Sequence, residues 1–190
     1  MILKKLRINA GIIDDTNCYI IVDEETKEAI VIDPAGNANE ILEMLNILEA
    51  KTKYIVITHC HFDHVGGVED LKAKTDAKVL AHRYSVLKLD SILDDSDIIH
   101  IGNLEFKIIH TPGHAQDAIC IYCKTENMLF SGDTIFYGTW GRTDLANGSH
   151  EEIMLSIKEK LMVLPEETIV YPGHRKTHND KRRESNVFRR

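Results

Sequence analysis

Short apolar runs separated by polar loops dominate the first third of the chain. Residues 2–8, 18–22, 29–32 and 54–58 predict strands, the last two being rich in β-branched side chains and bounded by Asp-Pro or polar segments. Between them, residues 37–50 place Ile41, Leu42, Leu45 and Leu48 at helical spacing, with Asn37 or Asn39 available to cap the start. After Gly67 the pattern predicts a short helix through Leu71, a strand at 78–81 and a helix at 84–89. Strands follow at 104–109, 118–124 and 128–131, the last two joined by a tight Thr-Glu-Asn turn that predicts a hairpin. Ser149-His-Glu-Glu152 has capping-box spacing ahead of a helix carrying Ile153, Leu155, Ile157, Leu161 and Met162, and 168–170 predicts a final strand. Each half thus runs strands first and a helix later, which suits two packed sheets flanked by helices.

At 190 residues the chain suits one core, and a single domain over 1–190 is expected. Its longest apolar run, residues 118–123, is far shorter than a membrane span or the apolar segment of a signal peptide, so a cytoplasmic protein with no membrane partner is expected. The net charge of −7 is unevenly spread: the last ten residues hold five Lys/Arg and one Glu, while the preceding 180 hold 18 Lys/Arg against 29 Asp/Glu, a net of −11. An acidic body argues against a nucleic-acid partner, and the basic end reads as a solvated tail. Four cysteines are too few for a disulfide scaffold. Cys120 and Cys123 form a CxxC, but on a strand residues three apart face opposite sides, so the pair reads as packing, as does Cys18.

The segment that carries chemistry is Thr58-His-Cys-His-Phe-Asp-His64, between a strand and a Gly-Gly pair. His59 and His61 lie two apart, so on extended backbone their rings leave the same side and converge on one cation; Asp63 and His64 turn with the chain toward a neighbouring position. Imidazole nitrogen with carboxylate oxygen suits zinc, and also iron(II) or manganese. Further ligand types stand at three other strand ends, in Thr111-Pro-Gly-His114, Ser131-Gly-Asp133 and Tyr171-Pro-Gly-His174. Each Pro-Gly lets the backbone turn sharply and present the imidazole at a sheet rim.

HxHxDH, then TPGH, SGD and YPGH, in that order over residues 59 to 174, resembles the metallo-β-lactamase superfamily. The resemblance implies an α/β fold, a four-layer αββα sandwich with a two-metal site between the sheets. Carried over position by position, His59, His61 and His114 hold the first metal, Asp63, His64 and His174 the second, and Asp133 bridges. Phe136 to Asp144, with its Gly-Arg-Thr-Asp, is similar to small glyoxalase-II-like hydrolases, and Glu184-Ser-Asn-Val-Phe188 is similar to a degenerate form of their tail. Arg142 falls where those enzymes place a basic substrate contact, with a structural ion pair as the competing reading. Asp33 resembles a family position that orients a ligand histidine, or is a plain strand-end turn. Where the family follows TPGH with Thr-Pro-Gly, this chain has Ala115-Gln-Asp117, and with 16 residues after His174 the helical region that longer glyoxalase II enzymes add is not expected. His82, His100, His110, His150 and His178 lie outside the motifs and are expected in surface or hydrogen-bonding roles.

The expected activity is hydrolysis of a small-molecule thioester such as S-lactoylglutathione by a hydroxide shared between two divalent cations, zinc by preference, with Asp63 a ligand that also steers the nucleophile. The competing expectations are a mononuclear-iron persulfide dioxygenase using His59, His114 and Asp133, a lactonase, phosphodiesterase or β-lactamase on the same metals, and a non-catalytic metal-binding module.

Overall fold

A computed structural model describes residues 1–11 and 15–174. The basic tail, His178 and the Glu184–Phe188 stretch lie outside the described residues.

The first sheet has six strands in the order β1-β2-β3-β4-β5-β6: β1 (Ile2–Ile8), β2 (Thr16–Val22), β3 (Glu28–Ile32), β4 (Lys51–Val56), β5 (Lys78–His82) and β6 (Ser91–Leu93). The first three form antiparallel pairs, and β3 through β6 are parallel. Parallel neighbours need a crossover. Helix α1 (Asn39–Ile47) supplies one between β3 and β4, and α2 (Phe62–Val65) with α3 (Val68–Thr75) supplies the next. The second sheet runs β7 (Ile98–Ile101), β8 (Leu104–His110), β9 (Ile119–Cys123), β10 (Met128–Gly132) and β13 (Ile169–Pro172), in the order β13-β10-β9-β8-β7. A two-stranded ribbon, β11 (Ile135–Phe136) with β12 (Thr139–Trp140), follows β10. Helix α4 (His150–Leu155) continues into a π-helical turn at Ser156–Leu161.

Side-chain alternation sorts the core into three layers. Cys18, Ile20, Val31, Ile55 and Val79 face Ile41 and Leu45 of α1 and Val68 and Leu71 of α3. Their strand neighbours Tyr19, Ile21, Ile30, Ile32 and Val56 face Phe106, Ile108, Ile119, Ile121, Phe130 and Tyr171 of the second sheet. Ile109, Cys120, Tyr122, Leu129 and Val170 then pack outward against Leu161 and Ile157. This is the expected αββα sandwich, and it explains why β2 is buried along its whole length: both of its faces are covered. Cys120 falls in the outer layer and Cys123 in the inner one, as strand geometry requires, and all four cysteines are free.

The elements depart from the sequence reading in five places. Residues 84–89 are turn and bend rather than helix, because the Ser85 side chain accepts the Leu87 amide at 3.1 Å and the Ser85 amide bonds back to the His82 carbonyl. Strands β6 and β7 and the β11–β12 ribbon lie in segments the sequence left unassigned. Asn37 makes a turn onto the Asn39 amide at 2.9 Å, and the cap position of α1 is Ala38, with no side-chain cap. Ser149 caps α4 with its Oγ accepting the Glu152 amide at 3.3 Å, while its own amide donates to the Gly113 carbonyl at 2.8 Å, so the N-cap half of the expected capping box forms.

Strand direction positions the site. β8, β10 and β13 run the same way, since β9 is antiparallel to both β8 and β10 while β13 is parallel to β10. Their carboxyl ends therefore emerge at one rim. The sheets are tied to each other there: the Ile119 amide donates to the Thr58 carbonyl at 2.8 Å, and the Asn17 amide to the Gly173 carbonyl at 2.7 Å. Gly132 sits at φ 48° against Thr58, whose side chain would overlap any Cβ at that position.

Candidate metal centre

Every sequence-predicted ligand stands just past the carboxyl end of a strand. His59 and His61 follow β4, and Asp63 and His64 lie on the single turn of α2. His114 follows β8, Asp133 follows β10 and His174 follows β13. His61 keeps extended backbone (φ −66°, ψ 144°), and the His59 and His61 rings meet at 4.6 Å between centroids, the convergence their two-residue spacing predicts.

The seven side chains form one cluster. His114 Nε2 lies 3.0 Å from His61 Nδ1, with the His59 ring 4.9 Å from that of His114. On the other side, His64 Nε2 lies 3.2 Å from His174 Nε2, which is 3.0 Å from Asp63 Oδ2. Asp133 stands between: its Oδ2 is 3.7 Å from His114 Nε2 and 3.4 Å from His174 Nε2, and its Oδ1 is 3.7 Å from His64 Nε2. Among the described residues, three groups have ligand atoms within 4.8 Å of one another: His59–His61–His114, His59–His64–Asp133 and Asp63–His64–His174.

The outward nitrogen of four rings is held by a protein oxygen, which fixes the tautomer and leaves Nε2 for the site. His59 Nδ1 meets Thr58 Oγ1 at 3.2 Å, and His64 Nδ1 donates to Asp33 Oδ2 at 2.9 Å. His114 Nδ1 donates to the Arg142 carbonyl at 2.8 Å and His174 Nδ1 to the Asp15 carbonyl at 3.3 Å. Asp33 fills both of its sequence readings. It is a strand-end turn at φ 50°, and its carboxylate also takes the Thr58 amide and hydroxyl, each at 2.7 Å.

Electrostatics divides the cluster. Burial, reinforced by the neighbouring imidazoles, holds His59 well below the usual histidine range, and burial with His114 lowers His61. These rings are neutral, with a lone pair to give. Around His64, burial opposes protonation, but Asp33, Asp133 and Asp63 prevail and push it up to about 9. Burial likewise opposes charge on Asp63, yet the hydrogen bond from His174 and the charge of His64 bring it down to about 2. The carboxylates thus favour positive charge beside His64.

Two polar atoms test whether a cation fits. His59 Nε2 and Asp133 Oδ1 are buried and have no hydrogen-bond partner among the described residues. A buried orphan of this kind is unfavourable by about 1–3 kcal/mol, and both atoms are donor types that divalent ions take. The donor set fits divalent cations.

The remaining candidates sort by contact. Arg142 contributes its carbonyl to His114, while its guanidinium makes a two-point pair with Asp144 at 2.7 Å for each contact, both side chains exposed. His82 stacks on His110 with 3.9 Å between centroids, and His110 Nε2 donates to the Gln116 carbonyl at 2.9 Å. His100 and His150 are exposed. Sequence reasoning missed the roles of the Arg142 and Asp15 carbonyls, since a backbone acceptor carries no residue signature.

Among the described residues no helix is long and apolar enough to cross a membrane. Residues 12–89 and 82–174 match the family model described as the metallo-beta-lactamase superfamily. A hydroxyacylglutathione hydrolase of Pelagibacter ubique is 35% identical over 173 residues, covering 90% of this chain and 71% of that protein. The hydroxyacylglutathione hydrolase GloC of Haemophilus influenzae is 31% identical over 180 residues, covering 83% of this chain and 84% of its own. The crystal structure of ETHE1 from Myxococcus xanthus superposes with a TM-score of 0.86 at 31% identity, over 93% of this chain and 76% of that one. With the layered fold, the ligand order along the chain and these likenesses in agreement, the chain belongs to the metallo-beta-lactamase superfamily.

Proposed function

We propose that this chain is a metal-dependent hydrolase of a small-molecule thioester, of which S-lactoylglutathione is the first to test. The observation that carries it is the pair of complete ligand groups, His59–His61–His114 and Asp63–His64–His174, with Asp133 between them, on a chain similar to hydroxyacylglutathione hydrolases. The first group would hold one divalent cation and the second another, with Asp133 touching both; zinc suits these donors best, and iron or manganese also fits. Bound there, the cations supply a Lewis acid for the thioester carbonyl and lower the pKa of water toward neutrality.

The chain's own groups do the positioning. Asp33, Thr58 and the carbonyls of Arg142 and Asp15 hold the imidazoles in the tautomer that offers Nε2 inward. Asp63 is ionised throughout the physiological range, so it orients the attacking water as a hydrogen-bond acceptor and does not store the proton. Water adds at the acyl carbon, the C–S bond breaks, and a carboxylic acid and a thiol leave. A thiolate departs readily, so no general acid is needed. Arg142 is the anchor for an anionic part of the substrate, with N–H groups beyond the two that Asp144 engages.

A second reading, a mononuclear-iron persulfide dioxygenase on His59, His114 and Asp133, draws on the likeness to the Myxococcus protein. The intact second ligand group favours the hydrolase. Elemental analysis of protein purified without chelator, on the sample then given S-lactoylglutathione, separates them. The hydrolase requires about two metal equivalents and thiol release; one equivalent of iron with oxygen uptake on glutathione persulfide overturns it.

A further inference from the structure

The His114 loop departs from the family pattern at Ala115-Gln-Asp117, and this departure is built into the site. Asp117 is a buried carboxylate, 8% exposed, outside the three ligand groups. Its Oδ2 accepts the backbone N–H of Cys60 at 3.0 Å. Cys60 is the residue between His59 and His61. The two ligand loops therefore meet at two adjacent points, the Ile119 amide on the Thr58 carbonyl at 2.8 Å and the Cys60 amide on Asp117. Cys60 also carries its thiol 2.9 Å from Ser85 Oγ, so the 82–90 turn joins the same junction.

The first contact continues the sheet-to-sheet pairing at the rim, and a backbone bond of that type tolerates any side chain. The second depends on the carboxylate. Within the His114 loop, Gly113 and Ala118 donate to the Ala115 carbonyl only at 3.4 and 3.3 Å. The loop's firm backbone ties lead away from the His59–His61 segment, with the Gly113 carbonyl taking the Ser149 amide at 2.8 Å and the Gln116 carbonyl taking His110 Nε2 at 2.9 Å, so Asp117 is a side-chain tie that joins the loop to that segment. What the tie controls is the approach of His61 Nδ1 to His114 Nε2, 3.0 Å apart and carried by different sheets.

We propose that Asp117 is a positioning residue that sets the spacing of His61 and His114 by clamping the His114 loop to the Cys60 amide. It touches neither ligand; it acts through the backbone between two of them. The inference rests on the reading of His59, His61 and His114 as metal ligands.

The test is zinc affinity by competition with a chromophoric chelator, on wild type, Asp117→Ala and Asp117→Asn, each with a thermal melt of the metal-free protein. Asn keeps an oxygen acceptor for the Cys60 amide, and Ala does not. Removing support of this kind weakens metal binding by about 10–100-fold, so Asp117→Ala is expected in that range and Asp117→Asn within about threefold of wild type. Equal affinity of Asp117→Ala and wild type overturns the proposal, as does an Asn variant as weak as the Ala one. Should Asp117→Ala not fold, the Cys60 amide of ¹⁵N-labelled wild-type protein decides: slow hydrogen exchange that becomes fast in Asp117→Asn, or fast exchange in wild type, would each count against the clamp. A wild-type protein that takes up no zinc sinks the ligand assignment itself, a different result from intact zinc binding in Asp117→Ala.

Discussion

His64 Nδ1 donates to Asp33 Oδ2 at 2.9 Å, and that oxygen simultaneously receives the Thr58 hydroxyl at 2.7 Å. The carboxylate has acceptor lone pairs and no donor, so the neutral His64 ring is admitted in one tautomer, with the lone pair of Nε2 toward Asp63, His174 and Asp133. Asp33→Asn would offer an N–H₂ to the same position. If the amide donates to His64 Nδ1, the proton moves to Nε2 and blocks the ligand lone pair. We expect about 10–100-fold weaker metal binding, read by chelator competition, with a near-wild-type melt for the metal-free protein. Unchanged affinity would show that His64 orientation does not depend on this contact.

Gly141 tests the close packing beneath the site. A Cβ there would overlap the Asp133 carbonyl and stand 3.0 Å from the His114 ring. Backbone offers little room to yield, so Gly141→Ala must displace either the Gly-Arg-Thr-Asp loop or His114. We expect destabilisation of about 2 kcal/mol or more in denaturant titration, with reduced metal content in the folded fraction. A variant with wild-type stability and full metal loading would mean that the loop shifts freely.

Arg142 separates two roles of one residue. Its carbonyl works on His114 whatever side chain it carries, whereas the guanidinium pair with Asp144 is 61% and 68% exposed and contributes little to stability. Arg142→Ala is therefore expected to melt within about 0.5 kcal/mol of wild type and to keep its metals. If the side chain anchors an anionic group, KM for S-lactoylglutathione rises about tenfold, the loss of one charged hydrogen bond, and kcat stays near wild type. A fall in kcat with KM unchanged would assign the residue to the chemistry instead of to binding.

The legible parts of this molecule are those whose physics is local. His59, His61, Asp63 and His64 fall within one strand end and one helical turn, and His114, Asp133 and His174 each follow an apolar run, so strand order alone brought them to a common rim. Strand β7 was missed although Ile99 and Ile101 alternate with exposed neighbours, because four residues beside an Asp-rich segment give too short a period to read. The helix expected at 84–89 failed because the Ser85 hydroxyl satisfies the Leu87 amide locally, a competition that apolar spacing does not register. Likewise, the oxygen partners of His114 and His174 are backbone carbonyls of Arg142 and Asp15, and only tertiary structure brings them into place.

His82 supplies the pH dependence that does not involve the ligands. It is 3% exposed and stacked on His110 at 10° between ring planes. Burial, with the charge of His110 beside it, brings its pKa down to about 4 from the ordinary 6.5. The folded state thus resists a proton that the unfolded chain accepts. Between pH 6.5 and 4 the unfolded state binds more protons, so stability falls as pH falls through that window and is level in this respect above it. The upper limit of the loss is about 3 kcal/mol. Metal-free protein should therefore melt progressively lower from pH 6.5 to 4, and His82→Phe, which keeps a ring against His110 and cannot titrate, should show a shallower slope over that range. Identical slopes for the two proteins would place the acid sensitivity elsewhere, in the carboxylates around His64.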